Sequence, residues 1–99
     1  MTDENSESMK TLTRHASTRC QQRGIPPLIV KWLLEYGTRS KGHHGTETCY
    51  FDKRARKRIE KACGRQIVRR LDDLLDAYLV VAEDEIVTVG HRDRRIWRH

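Results

Sequence analysis

The spacing of apolar positions changes repeatedly along the chain, and each change marks an element. Between Thr13 and Gly24 only Ala16 and Cys20, four apart, form an apolar seam. Thr13 suits an N-cap and Gly24 suits the left-handed residue that closes a helix, so a first helix is predicted between them. Pro26 and Pro27 favour the start of a second helix. Leu28, Ile29, Val30, Trp32, Leu33, Leu34 and Tyr36 make that helix apolar nearly all round until Gly37, so it must be largely buried. Residues 38–46, with Arg39, Lys41, His43 and His44 among glycines, read as a mobile basic loop or hairpin tip.

A short strand is predicted over 47–51. From Lys53 a helical period returns: Ala55, Ile59, Ala62 and Cys63 mark one face, and Ile67, Val68, Leu71, Leu74 and Leu75 mark another after Gly64. Two helices, or one bent at Gly64, satisfy that pattern. Residues 78–82 and 86–90 are rich in strand formers on either side of the acidic turn Glu83-Asp84-Glu85, which predicts a hairpin. The order predicts an α+β fold: N-terminal helices packed on a small antiparallel sheet, with a further helix before a C-terminal hairpin.

With 99 residues, the chain can bury one modest core. Residues 1–10 are polar and acidic and read as a disordered tail, leaving 11–99 as a single α+β domain. The longest apolar run, 78–82, is far too short to span a bilayer, so no membrane partner is expected. Cys20, Cys49 and Cys63 are odd in number and form no C-x-x-C pair, which argues against a disulfide framework and for a reduced, cytoplasmic setting.

Charge alters this picture. Twenty Lys and Arg against fourteen Asp and Glu give a net charge of +6, which favours a polyanionic partner, RNA above all. Lys53-Arg-Ala-Arg-Lys-Arg58 sets five cations in six residues. Lys53, Arg54, Arg56, Lys57 and Arg58 are therefore candidate phosphate contacts, although such a run is most often the solvated face of a helix whose buried side is Ala55 and Ile59. Trp97, near the C-terminus, could stack on an unpaired base or cover an edge of the core.

His15, Arg19, Gln22 and Arg23 stand at spacings of four, seven and eight, so they crowd one face of the first helix. Metal-free RNA cleavage needs a proton acceptor, a proton donor and fixed cations around the phosphorane, and histidine with arginine can fill those roles. His15 and Arg19 could meet one phosphate, with Gln22 and Arg23 binding beside them. His91 and Arg92 close the last predicted strand; Thr88 and Arg92 would share one face of it while His91 looks to the other. The same residues could equally form a hydrogen-bonded joint between helix and sheet. His43, His44 and Cys49 do not complete a zinc shell, so no metal or other cofactor is expected.

The early segment TRHASTRCQQRGI and the late segment AYLVVAEDEIVTVGHR resemble a family of small uncharacterised bacterial domains. That family is grouped with the RelE, barnase and colicin-type ribonuclease-toxin fold. The resemblance covers most of residues 11–92. It implies an α+β fold and a toxin-like, metal-independent endoribonuclease, with an acidic antitoxin protein as a possible partner. By position it carries over His15, Arg19, Gln22 and Arg23 from the early motif and Thr88, His91 and Arg92 from the late one. His15, Arg19 and His91 would then be catalytic. The alternatives are a non-catalytic RNA-binding or regulatory module and a small protein-interaction domain.

Overall fold

In the computed structural model, which describes residues 11–92, local capping and apolar spacing act as the sequence requires. Thr13 is extended, and its hydroxyl accepts the Ala16 N–H at 3.2 Å to begin α1 (Arg14–Arg23). Gly24, at φ +64, closes that helix in the left-handed conformation that glycine adopts without cost. Pro26 and Pro27 open α2 (Pro27–Tyr36), whose Ile29, Val30, Trp32 and Leu33 are buried. After Gly64, at φ +100, the chain cannot continue α3 (Lys53–Cys63) and starts α4 (Arg65–Arg70) instead, so the two-helix alternative is the one adopted.

Five strands complete the architecture: β1 (Thr11–Leu12), β2 (Thr38–Lys41), β3 (Thr46–Tyr50), β4 (Ala77–Ala82) and β5 (Glu85–His91). They form one mixed sheet in the order β1-β5-β4-β3-β2. The α+β class is therefore as expected, but the arrangement differs from the prediction in two ways. Residues 38–41 are not loop; they pair antiparallel with β3, Thr38 opposite Tyr50 and Lys41 opposite Glu47. Backbone pairing along an existing strand overrides a basic, polar sequence, because an edge strand can leave its side chains in water. The sheet is also not purely antiparallel, since β1 runs parallel to β5 and delivers the chain directly into α1.

The β4–β5 hairpin turns through Glu83 and Asp84, both at positive φ, the two-residue geometry that matches strand twist. Along β4 the burial alternates strictly, with Ala77, Leu79 and Val81 buried and Tyr78, Val80 and Ala82 partly exposed. Such alternation belongs to a sheet covered on one face only. On the covered face Cys49, Leu79, Val81, Ile86 and Val89 join Ala16, Ile29, Leu33 and Ile59 in one core. A register shift at Val80/Val81 pairs Val81 with Ile86 and Val80 with Thr88, leaving Val87 as the extra residue of a bulge. Without it, Ile86 and Val89 could not both face the core.

Asp52 caps α3, its Oδ1 accepting the Ala55 N–H at 2.9 Å. Burial pushes this carboxyl up, but the Ala55 amide, the Thr38 hydroxyl, its own amide and the Arg54 charge together hold it below its ordinary value. A carboxylate lowered in the folded state adds stability above its unfolded titration, and that stability is lost as pH falls through the folded value. Asp52→Asn keeps an N-cap but removes the charge. Its stability should therefore decline less steeply with acid than wild type below about pH 4, as read from urea midpoints across pH. Parallel declines would remove Asp52 from the acid response.

Candidate functional site

The candidate residues divide among three places. On α1, His15, Gln22 and Arg23 are exposed and Arg19 is half-buried, while Ala16 is fully buried and Cys20 packs partly against the core. The polar stripe thus lies beside the buried seam, because residues three and four apart share a face and the seam takes only the positions of Ala16 and Cys20. Burial raises the Cys20 thiol above its ordinary value, which keeps it protonated and unreactive.

α1 packs along β5, and the joint between them is His91. His91 sits opposite Ala77, on the covered side of the sheet. Its Nε2 donates to the Arg23 carbonyl at 3.1 Å, satisfying one of the acceptors left open in the last turn of a helix. His15 is in the first turn of the same helix, and the eight-residue separation from Arg23 amounts to about 12 Å of helix rise. The two imidazoles are therefore at opposite ends of α1. They are not brought together as an acid–base pair around one phosphate.

Thr88 and Arg92 lie on the other face of the sheet, as strand alternation predicts. Thr88 is opposite Val80, and Gly90 is opposite Tyr78. The Arg92 guanidinium stands over the Tyr50 ring, 4.5 Å from its centroid, and its backbone N–H donates to the Asp76 carbonyl at 2.8 Å. Burial, foremost, lowers the Arg92 pKa; Tyr50, Asp76 and Asp52 oppose that effect, and Arg56 adds to it. Tyr50 and Tyr78, direct cross-strand partners, had no place in the sequence-level site. Their signal was present in the period-two pattern, since both occupy the positions between buried ones.

The third place is α3. Lys53, Arg54, Lys57, Arg58 and Lys61 are exposed, and Ala55 and Ile59 are its buried stripe. Arg56 pairs with Asp72 at 2.8 Å, and Arg58 donates to the Tyr36 carbonyl at 3.0 Å, so these two tie α3 to its neighbours. Lys57, Arg58, Glu60 and Lys61 line a shallow surface hollow of about 370 Å³. An apolar groove of about 330 Å³ on the far flank of α1 is lined by Leu12, Ser17, Cys20, Gln21, Ile25 and Val30, and it includes none of the candidate residues. Among the described residues no cluster of three His, Cys, Asp or Glu side chains is arranged to hold a metal ion, and no helix is long and apolar enough to cross a membrane. Trp97 and the acidic residues 1–10 lie outside the described residues.

No family model, curated protein or solved structure matches the chain. Its functional reading therefore rests on its own residues and geometry.

Proposed function

We propose that the protein is an RNA-binding domain that holds the phosphate backbone with the cations of α3. The observation that carries this reading is the run of Lys53, Arg54 and Lys57, all exposed, on a helix with no acidic residue before Glu60. Self-repulsion among these charges disfavours the bare protein, and a polyanion relieves it. The net charge of +6 supports the same partner. The test is fluorescence anisotropy with a short labelled RNA at several salt concentrations. Binding that weakens with a log–log slope of at least about 2, near 0.7 to 0.9 for each neutralised phosphate, is the expected result. Absence of binding at low salt sinks the reading.

A second reading, metal-independent RNA cleavage in a toxin-like role, is favoured by one observation: His15 is exposed with Arg19 one helical turn beyond it. Here His15 would exchange the proton and Arg19 would stabilise the phosphorane, with His91 confined to holding the end of α1. RNA incubated with the purified protein in EDTA decides it. Cleavage that is lost in a folded His15→Ala variant supports this reading, and an intact RNA or undiminished cleavage by the variant rejects it.

A further inference from the structure

Among the described residues, the sheet presents one face that no helix covers, and that face carries flat groups. Its strand positions include Thr38 on β2, Thr48 and Tyr50 on β3, Tyr78 and Val80 on β4, and Thr88 on β5, all partly exposed. Gly90 is the exception, buried because the Tyr78 ring lies on it. A methyl group added to Gly90 would stand 3.1 Å from Tyr78 Cε1 and 3.2 Å from its hydroxyl oxygen. A side chain there would displace the ring; glycine lets it pack against the strand. Next to it, the Arg92 guanidinium stands over the Tyr50 ring, 4.5 Å from its centroid.

We propose that this face is a stacking platform for the unpaired bases of a single RNA strand, with one base on the Tyr78 ring and a neighbour on the Arg92 plane. The proposal rests on the RNA-binding reading above and names the form of RNA. Bases inside a duplex offer only their edges, whereas unpaired bases can splay out and stack on aromatic rings and guanidinium planes. Charge favours the same occupant. Arg56 is close enough to Arg92 to influence its charge, and Lys53 and Arg54 begin α3 just beyond Tyr50, so cations able to meet the phosphates border the platform at this end. Asp52 and Asp76 are near enough to Arg92 to favour its charged form. Between those ends the platform is neutral, with Thr48, Val80 and Thr88 able to accommodate any base, so stacking without strong sequence preference is expected.

The experiment compares Tyr78→Leu, Tyr78→Phe and wild type in binding a short single-stranded RNA, a hairpin duplex RNA and a single-stranded DNA of matching sequence, with folding checked by thermal unfolding. Expected are tighter binding of single strand than of duplex by wild type, and a loss of about five- to a hundred-fold for the single strand in Tyr78→Leu, the value of one stacked base. The salt slope should not change, because no phosphate contact is removed, and Tyr78→Phe should bind as wild type because it keeps the ring. Equal losses for duplex and single strand would overturn the proposal while leaving RNA binding intact. So would no loss in Tyr78→Leu, which would give the face to another occupant, such as residues 93–99 of the chain itself. A Tyr78-dependent preference for the DNA strand would overturn RNA as the ligand, and no binding of any RNA would overturn both readings together.

Discussion

Replacing Lys53, Arg54 and Lys57 together by glutamine is expected to weaken RNA binding by about two orders of magnitude at 0.1 M salt. Each phosphate neutralised on a single strand contributes about 0.7 units to the log–log salt slope, and at 0.1 M that slope converts to the same number of log units of affinity. Three lost contacts thus remove roughly two units from both. These three side chains are exposed, and Arg56 and Arg58, which bind Asp72 and the Tyr36 carbonyl, are left in place. Stability should consequently stay within about 0.5 kcal/mol of wild type, as for most surface changes. Anisotropy at several salt concentrations reads both quantities. An unchanged affinity with an unchanged slope would return α3 to an ordinary solvated helix face, and the charge would then serve solubility alone.

Leu79→Ala is the substitution expected to damage the fold most. Leu79 is fully buried at the centre of β4, opposite Val89 on one side and Cys49 on the other. Removing its isobutyl group forfeits the transfer free energy and leaves a cavity that a well-packed sheet-and-helix core closes only partly, which costs about 2 to 5 kcal/mol. A domain of this size has about 5 to 15 kcal/mol in total, so the variant should lose on the order of 10 °C or more in Tm. Leu28, 45% exposed on α2, is the matching control, and its replacement by alanine should change little. Equal effects at the two positions, measured by urea unfolding, would mean that the core is not centred where the burial puts it.

The helices were legible because their signals are local. Thr13 and Gly24 each act within a few residues, through one hydroxyl and one left-handed φ, and the apolar run of α2 needs no knowledge of its neighbours to demand burial. β2 was not legible. Thr38, Arg39, Ser40 and Lys41 carry no strand period, and only the free edge of β3 recruits them. β1 was equally hidden, since two residues beside the hairpin arm gain their conformation from Glu85 and Ile86.

The site divides along the same line. The sequence by itself determined that His15 and Arg19 lie one helical turn apart, that Thr88 and Arg92 share a strand face, and that the positive charge concentrates in residues 53–58, because helix and strand periods and composition follow from the order of residues. Tertiary structure alone decided that His91 is joined to the Arg23 carbonyl far from His15, that Arg92 lies on Tyr50, and that the Tyr78 ring rests on Gly90. The physical reason is that these contacts depend on strand order, on the bulge at Val80/Val81 and on which sheet face the helices cover. Those are settled by burying the apolar surfaces of distant segments against one another, and spacing along the chain does not encode which segments meet.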